Sequence, residues 1–309
     1  MTEALTAPRL PIALRIAQLA CALPDFPGRD TLLLKLQPYA LRMDEAYQGT
    51  FSGGLKFEAH LSQDGNDLFF FLMRYSRPSL APLFDAALSK GGVYADAGGN
   101  LGVYTLWAAR IVGPTGSVHA FEPVPGTFAR LVRNIELNNF DQVTAVNSAL
   151  GADTGMITLY RVAAASGLSS RYFVPKENPT EVPVTTLDAY FEGKPIPQLI
   201  KVDVEGMELE VLMGAKRLLS GPTPPVVVFE SNAAALASAG TNYGEVISFL
   251  GKSAGFSVWS LTTRGLQRDQ PGTVVPIATN ALAARPDLPA HARILETLKG
   301  VRFAHNQTL

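Results

Sequence analysis

Cysteine is almost absent from this chain: Cys21 is the single one in 309 residues, and there are only four histidines. An internal disulfide is therefore excluded, and so is a metal centre built from clustered cysteines. Neither sign of charge dominates. With 26 Lys and Arg against 27 Asp and Glu, the formal net charge is −1. That gives no electrostatic reason to expect a phosphate-backbone partner, so nucleic acid is not expected. The most apolar run near the start, Leu10 to Leu23, is interrupted by Arg15 and Gln18 and falls short of the roughly 20 residues of a membrane span. No signal peptide or anchor is read there, and a reducing cytoplasm is the simplest compartment. The dinucleotide fingerprint G-x-G-x-x-G is missing too: counted from Gly98, it needs glycine where Asn100 and Val103 stand.

What the chain does have is 47% hydrophobic residues, enough for one large core with an added subdomain. The stretch VYADAGGNLGVYTLWAAR, Val93 to Arg110, reads as a strand, a glycine turn and an amphipathic helix. Gly98, Gly99 and Gly102 allow a ligand to approach the backbone there, and the helix N-terminus beyond offers unpaired N–H groups. A carboxylate ending this first strand, Asp96, suits a ligand bearing an ammonium group and would repel a pyrophosphate.

Along the rest of the chain, residues 1 to about 49 read as two helical segments divided by Pro24 to Gly28, and Leu55 to Tyr75 as extended structure turning at Asp64-Gly65-Asn66. This gives a three-part division: an extension over 1–75, serving as a packing cap or a lid, a main domain over 76–280 and a helical tail over 281–309. Further strands are expected at Ser117 to Phe121, Val143 to Ala149, Leu199 to Val204 and Pro225 to Phe229. Phe256 to Leu261 and Val274 to Ala278 look like a closing antiparallel hairpin. In Leu199 to Val204 the alternation puts Lys201, Asp203 and Glu205 on one parity, where unpaired charge is costly, so they must pair, reach solvent or serve a site. Four strands end in acids: Asp96, Glu122, Asp203 and Glu230. In a parallel open sheet such ends converge on the ligand crevice. Glu122 at the second tip can accept ribose hydroxyls through charge-assisted hydrogen bonds.

Motif I as DAGGNLGVYTLWAAR, the FEP tripeptide Phe121 to Pro123, RNIELNN from Arg133 and LIKVDVEGMELEVLMGA from Leu199 together resemble the FkbM family of methyltransferases. The resemblance runs roughly from Tyr75 to Ala278. It implies an α/β, Rossmann-like class I methyltransferase fold, with a seven-stranded, mostly parallel sheet, helices on both faces and an N-terminal helical and strand extension. It also implies S-adenosyl-L-methionine (SAM) as cofactor, held by Asp96, Gly98, Asn100, Gly102, Glu122 and Pro123. The acceptor would be a hydroxyl on a sugar, polyketide or similar small molecule; transfer to nitrogen and a non-catalytic SAM-binding partner are the alternatives. The chain departs from the family at Tyr75-Ser76-Arg77, where tyrosine followed by glutamate is common.

No histidine is well placed for proton transfer: His119 is offset in parity from Glu122, and His60, His291 and His305 lie outside the motif strands. Asp203 is thus the expected base and Glu205 its orienting partner. The competing, less favoured mechanism places Mg²⁺ on Asp203, Glu230 and Asn232. Acceptor contacts are expected outside the cofactor core, from the first 75 residues and the Ala163 to Ser170 loop. The acceptor's identity and the oligomeric state are left open.

Overall fold

The computed structural model describes residues 11–22, 28–40, 42, 46–61, 78–161, 169–172, 179–270, 272–273 and 278–303. Helices α1 (Ile12–Ala22) and α2 (Arg29–Ala40) are followed by a hairpin of β1 (Tyr47–Phe51) and β2 (Leu55–Ala59). The hairpin turns where Gly53 and Gly54 take φ of +79° and +80°. The turn expected at Asp64-Gly65-Asn66, the LFFFLMRY run after it and Tyr75-Ser76-Arg77 lie outside the described residues, as does most of the Ala163 to Ser170 loop. Among the described residues, no helix is long and apolar enough to cross a membrane.

Next come α3 (Ala81–Ala87), β3 (Val93–Ala97), α4 (Val103–Val112), β4 (Ser117–Phe121), α5 (Pro125–Leu137) and β5 (Val143–Val146). The expected strand from Val143 to Ala149 breaks at Asn147 and Ser148. Asn147 donates to the carbonyls of Glu122 and Pro123 at 2.8 and 3.0 Å, and Ser148 to that of Pro183 at 3.0 Å. The chain then leaves for a small second sheet of β6 (Ala149–Leu150), β7 (Gly155–Arg161), β8 (Ser169–Ser170) and β9 (Thr180–Thr185). It returns through α6 (Leu187–Tyr190), β10 (Leu199–Val202), α7 (Glu208–Met213), α8 (Lys216–Ser220) and β11 (Val226–Asn232). The last elements are α9 (Ala233–Ser238), α10 (Tyr243–Ala254), β12 (Ser257–Thr262), β13 (Gly265–Arg268), β14 (Ala278–Ala284) and α11 (Pro289–Thr297).

The main sheet has eight strands in the order β13-β12-β14-β11-β10-β3-β4-β5, one more than expected. The extra edge strand is β13, which pairs antiparallel with β12 inside what the sequence shows only as a polar turn. From β11 to β5 all pairs are parallel. Of the expected strand Val274 to Ala278, only Ala278 is among the described residues, and it begins β14, which inserts antiparallel between β11 and β12 with Ala281 to Ala284 fully buried. Its alanine-rich sequence favours helix by propensity, and burial on both faces of the sheet overrides that preference.

One face of the sheet, with Tyr94, Val118, Leu199 and Val228, packs on α4 and on the N-terminal elements, including Leu14, Phe51 and Phe57. The other, with Ala95, Ile200, Val202 and Phe229, packs on α7, α8 and α10. The hairpin is also fastened by α5. The Asn138 side chain accepts from the N–H of Lys56 at 2.7 Å and donates to its carbonyl at 2.8 Å, while Asn134 accepts from the N–H of Glu58 at 3.0 Å. Two asparagines four apart lie on one side of a helix, so together they reach alternate positions of a strand edge.

Candidate functional site

The β3 strand delivers Asp96 to the sheet's C-terminal edge, but the side chain is only 1% exposed. The Thr105 hydroxyl donates to it at 2.6 Å. Burial pushes its carboxyl up, and Lys201, Thr105 and Tyr94 pull it back. Asp96 thus sits beneath the turn rather than on the crevice wall. Above it the chain passes through Gly98, Asn100 and Gly102 at φ of +86°, +46° and +99°, a left-handed run that suits glycine and asparagine. The glycines make room for protein before any ligand: a Cβ at Gly98 would lie 1.9 Å from the Asp203 carbonyl oxygen, and one at Gly102 would lie 2.8 Å from Leu131.

Glu122, at the tip of β4, fastens this turn. One carboxylate oxygen accepts from the N–H of Asn100 and the other from that of Val124, each at 3.0 Å. Burial raises its pKa to about 7 against the pull of those two N–H groups. Each oxygen retains a second lone pair, so the carboxylate can still accept from a ligand hydroxyl. Pro123 follows at the same tip, with its carbonyl held by Asn147.

The turn after β10 is the second half of the site. Regular strand ends at Val202, and Glu205 adopts φ +51° with Gly206 at +101°, so the expected alternation stops before Glu205. Its carboxylate nevertheless returns to within 4.8 Å of those of Asp203 and Glu230. Lys201 is 4% exposed; its ammonium lies 2.8 Å from Asp203 and over the Tyr104 ring at 5.0 Å. Burial works against the charges of both members of this pair. Their mutual attraction wins, holding Asp203 below the usual carboxylate range and Lys201 above its own. Burial, then the charges of Asp203 and Glu208, push Glu205 up to about 8.

Glu208 escapes the sequence reading. It is 3% exposed, and its carboxylate accepts from the N–H groups of Val204 at 3.2 Å and Gly206 at 3.0 Å. Its legible signal is an acid in the first turn of a helix, which can reach back to N–H groups before the helix. Thr105 and Asn134 escape it as well. Asn134 donates to the carbonyl of Leu101 at 2.8 Å and so ties the β3 turn to the N-terminal hairpin.

The trio Asp203, Glu230 and Asn232 does not present three free oxygens to a cation. Asn232 Oδ1 caps α9, accepting from Ala234 and Ala235 at 3.1 and 3.3 Å, and Lys201 already neutralises Asp203. The described histidines are committed elsewhere: His119 to Tyr190 at 3.0 Å, His60 to Glu58 at 3.2 Å, and His291 to the Pro224 carbonyl at 3.0 Å. Burial and Lys194 lower His119 to about 4; His305 lies outside the described residues. A hollow of about 190 Å³ beside Ile247, Phe256 and Arg268 is lined by none of these strand-tip residues and is smaller than the roughly 300 Å³ of a small-molecule site.

Residues 96–258 match the methyltransferase FkbM domain. The chain belongs to the FkbM methyltransferase family. The match begins at Asp96 and runs through both turns to β12. Methyltransferase 1 of Beauveria bassiana is 33% identical over 141 residues, which covers 38% of this chain and 56% of that protein. Hexuronic acid methyltransferase AglP of Haloferax volcanii is 32% identical over 126 residues, covering 40% and 50%. The chain thus spans about half the length of these curated relatives. The crystal structure of methyltransferase FkbM from Methylobacillus flagellatus KT aligns with TM-score 0.42 and 16% identity, over 88% of this chain and 58% of the other.

Proposed function

We propose that this FkbM chain transfers a methyl group from SAM to a hydroxyl oxygen of a sugar, polyketide or related small molecule. The observation that carries this reading is the charge at the strand tips. Asp203, Glu205 and Glu230 converge within 4.8 Å beside a left-handed glycine turn, with Lys201 paired to Asp203. Three carboxyl groups against one ammonium fit a cofactor whose sulfonium and ammonium charges favour their ionised forms, and do not fit a dinucleotide pyrophosphate.

In this reading Gly98, Asn100 and Gly102 shape the turn that borders the cofactor, Asp96 supports the turn from below, and Glu122 with Pro123 faces the ribose. Bound SAM supplies an electrophilic methyl group on a positively charged sulfur. The protein's part is to hold the acceptor in line, exclude water and take the acceptor proton, with Asp203 and Glu205 as the catalytic pair. Residues 1–75 form an extension that, with the Ala163 to Ser170 loop, selects the acceptor over the main domain, which runs past the expected boundary at 280 because β14 carries the sheet on to Ala284. The Haloferax relative, named a hexuronic acid methyltransferase, supports a sugar-type acceptor.

Calorimetry tests the cofactor: SAM should bind and NAD should give no heat. A screen of hydroxylated metabolites by mass spectrometry, reading the gain of one CH2 alongside S-adenosylhomocysteine, tests the reaction. Turnover of any acceptor so found should survive exhaustive chelation. SAM that gives no heat, or heat equal to that from NAD, would overturn the reading.

A further inference from the structure

Two carboxylates at the β10 turn could take the acceptor proton, and their surroundings differ. Asp203 has a full countercharge 2.8 Å away in Lys201, which lowers its affinity for a proton. Among the described residues, Glu205 has none of its own. Its Oε2 is buried without a hydrogen-bond partner among the described residues. Its left-handed backbone is fixed by Glu208 below and by Gly206 beside it, where a Cβ would lie 2.7 Å from the Ala235 carbonyl oxygen. Among the described residues, the ionisable groups facing it are Asp203 and Lys201 from β10 and its turn, Glu208 from α7 and Glu230 from β11. The neighbouring α9, AAALAS, carries no ionisable side chain.

Resting on the SAM-dependent reading, we propose that Glu205, rather than Asp203, is the group that receives the acceptor proton, and that a cationic cofactor beside it ionises it beforehand. The Lys201–Asp203 pair then acts as fixed charge. With its carboxyl near 8, Glu205 holds a proton at neutral pH in the free chain and is an idle base. A positive charge nearby favours its ionised form, and linkage requires a ligand that lowers this pKa to release a proton as it binds. In the transfer, the acceptor O–H bond breaks as its proton passes to the Glu205 carboxylate and the oxygen forms a bond to the methyl carbon. The C–S bond breaks with its electron pair staying on sulfur, which becomes neutral. The proton on Glu205 then leaves to water.

SAM and S-adenosylhomocysteine share the ammonium and differ in the charge on sulfur, which makes them a matched pair of probes. Calorimetric titration of the full chain with each, at neutral pH, with chelator present and in two buffers of different ionisation enthalpy, reads the protons released. The wild type should release clearly more with SAM than with S-adenosylhomocysteine. Glu205→Gln should abolish the difference while weakening SAM binding no more than about tenfold, and should lower turnover of the screened acceptor by roughly 10² to 10⁴-fold. Tight SAM binding with equal release from both ligands, or a Glu205→Gln chain that keeps the difference or the turnover, overturns the assignment and leaves the cofactor reading standing. A wild type that gives no heat with SAM fails at the earlier step. The wild-type comparison is decisive even where the variant does not fold.

Discussion

The turn after β3 and the turn after β10 leave neighbouring parallel strands through left-handed residues: Gly98, Asn100 and Gly102 in the first, Glu205 and Gly206 in the second. Each is fastened by a buried carboxylate that accepts backbone N–H groups, Glu122 in the first and Glu208 in the second. They differ at the non-glycine left-handed position. Asn100 belongs to a residue type that tolerates that conformation, and its N–H is tied to Glu122; Glu205 is a longer side chain that tolerates it poorly and has an oxygen left over. Strain together with an unsatisfied acid is more readily explained by chemistry than by folding. In the function proposed above, the first turn holds the cofactor and the second carries the reaction; Asp96, beneath the first turn, also has one buried oxygen without a hydrogen-bond partner among the described residues.

The two turns also touch, and breaking that contact should have the largest effect. Gly98→Ala must place a methyl group 1.9 Å from the Asp203 carbonyl oxygen at φ +86°. The conformation costs about 1 to 2 kcal/mol, and forcing backbone apart adds roughly 1 to 3 kcal/mol. Urea unfolding should show the loss, and SAM affinity should fall with it because both tips shift. An unchanged midpoint would mean that the turns are not packed against each other.

Replacing the two fastening acids sharpens the comparison. Glu122→Ala frees the N–H groups of Asn100 and Val124 and, in the proposed function, removes a ribose acceptor. The fold should survive, and SAM affinity should drop by about one to two orders of magnitude, the equivalent of one or two charge-assisted hydrogen bonds. Glu208→Ala frees those of Val204 and Gly206 at a similar cost to folding, about 1 to 3 kcal/mol for each group left buried and unpaired. Its functional loss should appear in turnover of the screened acceptor more than in SAM affinity, since Glu205 loses its support. Calorimetry beside steady-state kinetics separates the two, and identical profiles would erase the distinction between the turns.

Much of this arrangement could be read from the sequence because buried parallel strands are short apolar runs and their tips are marked by glycine and acid. Asp96, Glu122, Asp203 and Glu230 follow from position alone. Less legible was which of them would be free. Burial of Asp96 against Thr105 depends on a helix nine residues on, and the pairing of Lys201 with Asp203 was one of several outcomes open to charges of shared parity. The convergence of Glu205 was expected for a reason the structure does not supply: alternation ends at Val202, and a left-handed residue redirects the side chain. The eighth strand was hidden because Gly265 to Arg268 is short and polar and gains its ladder from β12. The early hairpin was hidden because the signal at residues 52–54 competed with the stronger Asp-Gly-Asn downstream.

The smallest effect concerns how the N-terminal hairpin communicates with the first turn. Asn134 and Asn138 both hold β2, but only Asn134 also holds the turn, through the carbonyl of Leu101 at 2.8 Å. Asn138→Ala removes two bonds to Lys56 at a partly exposed edge where water can replace them, so it should cost about 1 kcal/mol of stability and leave SAM affinity unchanged. Asn134→Ala acts on a side chain 1% exposed and leaves the Leu101 carbonyl without this donor. Its stability cost should be larger, about 1 to 3 kcal/mol, with a measurable loss of SAM affinity because the turn proposed to border the cofactor loses a support. Thermal melts paired with SAM titration compare the two variants. Should both lower stability while neither changes SAM affinity, the hairpin would be fastened to the fold without any hold on the first turn, and that turn would depend on Glu122, the Gly98 contact and the bonds from Gly98 and Gly99 to the Phe121 carbonyl.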